Sequence, residues 1–110
     1  IYDRMNEAGL RWTSYFSDLP FLYLWGRLRA QVDNIRRIEQ FFEDARAGRL
    51  APLVHIEPSY RYNDDHPPHD VALGQAFLSS VLTAVGQSPQ WPRAMVILCY
   101  DEHGGFYDHV

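Results

Sequence analysis

The stretch Leu53–Gly86, LVHIEPSYRYNDDHPPHDVALGQAFLSSVLTAVG, carries the pattern that decides the fold class. Leu53 to Ile56 read as a brief apolar strand, closed by Pro58 because proline cannot donate to a sheet ladder. Residues 59–70 are polar, and Pro67, Pro68 and the Asn63-Asp64 pair exclude both helix and central strand. Val71, Gly74, Phe77, Leu78, Val81, Leu82 and Val85 then mark an amphipathic helix, which ends near Gly86 and Ser88-Pro89. RAMVILCY, Arg93–Tyr100, follows as a continuous apolar run, the kind that forms a strand buried on both faces of a parallel sheet. Strand, loop, helix, strand is a βαβ unit. The predicted class is therefore α/β, a mainly parallel sheet with flanking helices.

The same reading extends upstream. Ile1, Met5 and Ala8 stand at helical spacing, with Gly9 as a stop, and RWTSYF alternates β-branched or aromatic residues with polar ones, as a short strand does. Phe21 to Trp25 predict an irregular or short helical segment packed on the core, with a lipid-facing or partner-facing patch as the alternative. Val32, Ile35, Ile38, Phe42 and Ala45 predict a single helix over 32–47, ended by Gly48.

Composition bounds the function classes. The chain has 110 residues, 46% of them hydrophobic and 22% charged, which suits one small globular domain. All 10 basic residues are Arg, they are dispersed, and the net charge is −4. Without a basic patch, nucleic acid is not an expected partner. The single Cys99 excludes an internal disulfide and a multi-Cys zinc site, and its place in the apolar run predicts burial. No stretch reaches the ~18–20 apolar residues that span a bilayer. The chain begins at Ile1 and closes inside a motif, so residues 1–110 are expected to be an internal fragment of a larger domain.

Two clusters of ligand-type side chains follow the two predicted strands. The first holds Asn63, Asp64, Asp65, His66, His69 and Asp70; the second holds Asp101, Glu102, His103, Asp108 and His109. In a parallel sheet both would lie on one rim, beyond the strands' carboxyl ends, where ligands collect. Asp101 and Glu102 at the mouth of a buried strand repel each other and lose hydration unless a cation offsets them, so a divalent metal ion is expected there. Gly104 and Gly105 allow backbone turns and close approach of a ligand. Simpler roles stand beside these. Asp64 and Asp65 suit a turn, Asp70 suits the N-cap of the following helix, His69 suits solvent, and His55 on the apolar strand suits a structural role.

NDDHPPHDVALGQAFL, SPQW and YDEHGGFYDHV, with IYDRMNEAGLRWTSYFSDLP upstream, resemble the bacterial phosphoesterase family. That family includes phosphatidylcholine-type phospholipases C and certain acid phosphatases, and plant non-specific phospholipases C are similar to it. The resemblance implies part of an alkaline-phosphatase-like α/β fold, in which a metal ion and a Thr or Ser nucleophile hydrolyse a phosphate ester. It implies Asp101 and Glu102 as ligands of Ca²⁺, Mg²⁺ or Mn²⁺, with His66, Asp70 and His103 as catalytic residues. Asn63, Asp65, His69, Gly104, Gly105, Asp108 and His109 would support those residues or line the pocket. It further implies a phospholipid or small phosphate-ester substrate, transient contact with a membrane surface, and export to the periplasm or beyond the cell.

The family's N-terminal Glu-Asn motif, its nucleophile motif and a downstream segment are absent from these residues. The fragment alone is therefore expected to be inactive. Two alternatives carry different structural expectations: a His-Asp phosphohydrolase would be all-helical, and a non-enzymatic metal-binding or interaction module would use Phe21 to Trp25 as its contact surface.

Overall fold

A computed structural model describes residues 1–101, apart from the side chain of Arg29. The sheet has three strands, β1 (Trp12–Phe16), β2 (Ile35–Arg37) and β3 (Leu53–Glu57), in the order β2-β1-β3. Both pairings are parallel, with Ser14 opposite Ile35 on one side and His55 on the other. Helix α1 (Tyr2–Glu7) precedes β1, α2 (Ile38–Arg46) links β2 to β3, and α3 (Val71–Gly86) follows the long loop after β3. The expected α/β class and parallel sheet are present. An all-helical phosphohydrolase is excluded by the same sheet.

Period-two alternation on β1 separates two cores. Tyr15 packs with Phe41 and Ala45 of α2 and with Val81 and Val85 of α3. Trp12 packs on the opposite face with Leu22, Leu28 and Ile35, and Tyr2, Met5, Phe16 and Leu53 lie against them. β1 is thus covered on both faces, which is why Trp12 to Tyr15 are all buried. Asp44 ties three elements together: it accepts from Tyr15 Oη at 2.8 Å, Arg49 Nη2 at 3.1 Å and Arg36 Nη1 at 3.4 Å. The side chain of Gln90 pairs with both backbone groups of Leu50, at 2.8 and 3.1 Å, and fastens the chain beyond α3 to the approach of β3.

Three expectations are corrected. The helix predicted over 32–47 starts only at Ile38, because Ile35–Arg37 pair with β1 as a strand. In the Phe21–Trp25 segment Leu22 alone is buried; 3₁₀ turns over Phe21–Leu24 and Gly26–Ala30 leave Phe21, Tyr23, Leu24 and Trp25 exposed. Residues 94–100 follow a 3₁₀ turn at Trp91–Arg93 and join no ladder, so the run read as a buried strand is exposed, Cys99 included. Both edges of β1 are already occupied by β2 and β3. No helix among the described residues is long and apolar enough to cross a membrane.

Candidate active site at the sheet rim

Parallel strands end on one edge of the sheet, and there β1 and β3 deliver acidic groups. Glu57 closes β3 and is 2% exposed. Its carboxylate accepts from Phe21 N–H at 2.7 Å, Ser14 Oγ at 3.1 Å and Tyr60 Oη at 3.3 Å. The His55 ring nitrogen Nδ1 lies 3.3 Å from both Ser14 Oγ and Glu57 Oε1, which is the structural role anticipated for it. Just past β1, Asp18 accepts from Leu19 N–H at 2.7 Å, Ser59 Oγ at 2.8 Å and Tyr60 N–H at 3.3 Å. Burial pushes the Asp18 carboxyl up, but those donors and the Arg61 charge outweigh it and hold the group below its ordinary value.

The loop 59–70 is fixed by three consecutive side chains, each tied to a different place. Asn63 Oδ1 accepts Ser59 N–H at 2.6 Å and closes the loop's first turn. Asp64 Oδ1 accepts His69 Nδ1–H at 2.6 Å and His66 N–H at 3.1 Å. Asp65 Oδ2 accepts Tyr100 Oη at 3.0 Å and Gln75 Nε2 at 3.3 Å, so it connects the loop to α3 and to the residue before Asp101. Asp65 adopts φ +63°, and its Oδ1 is buried without a hydrogen-bond partner among the described residues. A Cβ at Gly74 would fall on that oxygen, so α3 needs glycine there.

Asp70 caps α3, accepting Ala72 N–H at 2.9 Å. His66 is exposed, and its Nδ1–H donates to Pro67 O at 2.8 Å, since a carbonyl can only accept. His69 is partly buried against Asp64 rather than simply solvated. Asp101 lies near enough to Tyr60 for its charge to act on the phenol. The Tyr60 hydroxyl is raised above the usual tyrosine range by burial first, then by Glu57, Asp18 and Asp101. Glu102, His103, Gly104, Gly105, Asp108 and His109 lie outside the described residues. No three His, Cys, Asp or Glu side chains among the described residues converge to hold a metal ion. Those residues alone do not make a metal centre.

The sequence reading missed Glu57 and Asp18, and it placed Asp64 in the first cluster with turn formation as its simpler role. Their common signal was legible in part: Glu57 and Asp18 are acids at or just beyond the ends of strands, the criterion that singled out Asp101.

Comparison with known proteins bears on this arrangement. Non-specific phospholipase C6 of Arabidopsis thaliana is 40% identical over 100% of this chain and 23% of its own length. Non-specific phospholipase C1 of the same plant is 37% identical over 100% of the chain and 22% of its length. Hemolytic phospholipase C of Pseudomonas aeruginosa is 32% identical over 91% of the chain and 13% of its length. The chain thus spans less than a quarter of the curated relatives it matches. Its own sequence fits the profile of a single family from residue 1 to residue 110, loop and rim acids included, and by that match the chain belongs to the Phosphoesterase family.

Proposed function

We propose that the intact protein hydrolyses phosphate esters, with a phospholipid or a smaller phosphate ester as substrate, in the manner of a phospholipase C or an acid phosphatase. One observation carries the reading: the loop that holds NDDHPPHD is fastened to the carboxyl ends of β1 and β3, by Ser59 to Asp18 and Tyr60 to Glu57, and its Asp65 is bonded to Tyr100 beside Asp101. The names of the relatives support it.

In this reading a Thr or Ser outside these residues gives up its hydroxyl proton and attacks phosphorus, forming a phospho-enzyme ester that water hydrolyses in a second step. The phosphorus–oxygen bond to the leaving group breaks, and its electron pair stays on the leaving oxygen. His66, with Nδ1–H held by Pro67 O, gives that oxygen a proton from Nε2 when the ring is the imidazolium, and is left as the neutral Nδ1–H imidazole. Asp70 fixes the start of α3 beside it, and His103 is a second candidate for proton transfer. Asp101 and Glu102 are the proposed ligands of a divalent cation, all-oxygen donors that suit Ca²⁺, Mg²⁺ or Mn²⁺. When bound, such an ion supplies stabilisation of negative charge on phosphate. Exposed Leu19, Phe21, Leu24 and Trp25 beyond β1 are proposed to touch a lipid surface transiently, and export from the cell belongs to the same proposal.

The test is made on the intact protein, with 4-nitrophenyl phosphate and phosphatidylcholine as substrates. Asp101→Asn and His66→Ala are each expected to lower kcat by about 100-fold or more. Asp101→Asn should also lower bound metal measured by elemental analysis. Near-normal turnover in both variants contradicts the assignment.

A further inference from the structure

We propose that Asp64 is the positioning residue for His66, and that His69 is the clamp that holds Asp64 in that role. The inference rests on His66 being the proton-transferring residue of the reading above.

A histidine on a surface loop transfers protons well only if its backbone and ring are held still. His66 is exposed and sits in a loop with no helix or strand to stiffen it. Its own neighbour fixes the ring, since Nδ1–H is given to Pro67 O at 2.8 Å. Its backbone is fixed by Asp64, whose Oδ1 accepts the His66 N–H at 3.1 Å. That same oxygen takes the His69 Nδ1–H at 2.6 Å, the shorter and charge-assisted bond. One carboxylate oxygen therefore spans the loop from its entry to its exit, and His66 lies between the two anchors. The loop is closed a second time by His69 N–H donating to His66 O at 2.9 Å.

The surroundings show that this bracing is built. The Asp64 side chain is 13% exposed and that of His69 22%, little for an acid and an imidazole in a surface loop. Burial pushes the Asp64 carboxyl up, but the His69 and His66 donors outweigh it and hold it below its ordinary value. The carboxylate is thus an anion, able only to accept, in the range where His66 would work. On either side, Asn63 and Asp65 secure the backbone to Ser59 and to Gln75, so the Asp64 main chain cannot swing away. Neither Asp64 nor His69 has to touch substrate for this role. A shift of ~1 Å in a reacting group can cost about 100-fold in rate, so loss of the brace should appear in kcat rather than in KM.

The experiment is a double-mutant cycle in the intact protein, reading kcat, KM and melting temperature with 4-nitrophenyl phosphate and 4-nitrophenyl phosphorylcholine. Asp64→Ala is expected to lower kcat by about 10- to 100-fold with KM little changed, and to lower the melting temperature because the His66 and His69 donors lose their acceptor. Asp64→Asn should recover most of that loss, because the amide oxygen still accepts both N–H groups. In a His66→Ala background Asp64→Ala should cost nothing further, a non-additivity that a merely structural role would not produce. His69→Gln gives a smaller loss in the same cycle and serves if Asp64→Ala does not fold. An Asp64→Ala loss that multiplies fully onto the His66→Ala loss overturns the inference, as does an unchanged kcat. A wild-type protein that cleaves neither ester overturns the functional reading itself. An active wild type with an inert His66→Ala and a normal Asp64→Ala overturns only this inference.

Discussion

Glu57 brings a carboxylate into a place where 2% of the residue meets solvent, and three protein donors and the His55 ring are turned toward it. Desolvating an anion is costly, and hydrogen bonds from fixed donors offset that cost only while every partner is present. Glu57→Ala strands the Phe21 N–H and the Ser14 hydroxyl in a dry site. We expect it to destabilise the intact protein by about 3 kcal/mol in urea unfolding, and Glu57→Gln, which keeps one acceptor, by less. Equal midpoints for wild type and Glu57→Ala would contradict this account. The role of Glu57 was only partly legible. HIEP shows an acid ending an apolar run, but it does not show that Ser14 of the neighbouring β1, opposite His55, donates its hydroxyl to that acid. Asp64 was opaque for a related reason. Turn composition explains an Asp in that loop equally well, and only the fold shows His69 returning to it.

Elements were legible where local pattern and tertiary demand agree, and illegible where they part. Leu53–Glu57 and Val71–Gly86 match their sequence signatures to within a residue or two, since β3 sends Val54 and Ile56 to the Tyr15 core and Leu53 to the Trp12 core, and α3 presents one apolar face to the Tyr15 core. Residues 32–47 carry helical spacing throughout, yet Ile35–Arg37 gain more as a strand. There Ile35 enters the Trp12 core, Arg36 reaches Asp44, and the Arg37 guanidinium lies 5.5 Å from the Phe16 ring centre. The run at 95–100 shows the converse: apolar composition favours burial, but a strand also needs a ladder partner, and these residues pair with none of the described strands although β2 and β3 each keep an outer edge. Helix α3 adds a test of how the loop is seated. Gly74 looks like one more small residue on an apolar stripe, but Asp65 Oδ1 occupies the space of its missing Cβ. Gly74→Ala must therefore push Asp65 off its bonds to Gln75 and Tyr100, at an expected cost of about 1–3 kcal/mol. Asp65→Gly suits φ +63° and removes the obstructing oxygen, so the double variant should be more stable than the two single losses predict. Strict additivity in thermal unfolding would show that the two residues do not collide.

For the molecule as a whole, the rim acids and the phenols of Tyr2, Tyr15, Tyr60 and Tyr100 set opposite ends of one pH window. Asp18 and Asp64 titrate below the ordinary 3.8 when folded, in each case because hydrogen-bond donors and positive charge outweigh burial. A folded value below the unfolded one means the stabilisation is present above 3.8 and is lost as pH falls through the folded values. The phenols run the other way. Burial, then the Glu57 charge, pushes Tyr2 up from 10.0 to about 12. Burial followed by a carboxylate neighbour also raises Tyr15 beside Asp44, Tyr60 beside Glu57, and Tyr100 beside Asp65. Their contribution is complete below 10.0, where both states hold the proton, and fades as pH rises toward and through the folded values, because the unfolded chain ionises first. The two sets share partners, since Glu57 acts on Tyr2 and Tyr60, and Asp18 on Tyr60. The alkaline limit of this unit therefore depends on the same carboxylates that build its rim. We expect the urea midpoint of the intact protein to be level through neutrality, to fall below about pH 4 and to fall again above about pH 10. Asp64→Asn should flatten the acid side and Tyr2→Phe the alkaline side, each leaving the other limb in place. An alkaline limb unchanged in Tyr2→Phe, with the Tyr2 phenol ionising near 10.0 in a difference-absorbance titration, would show that its hydroxyl is not held beside Glu57 in a dry site.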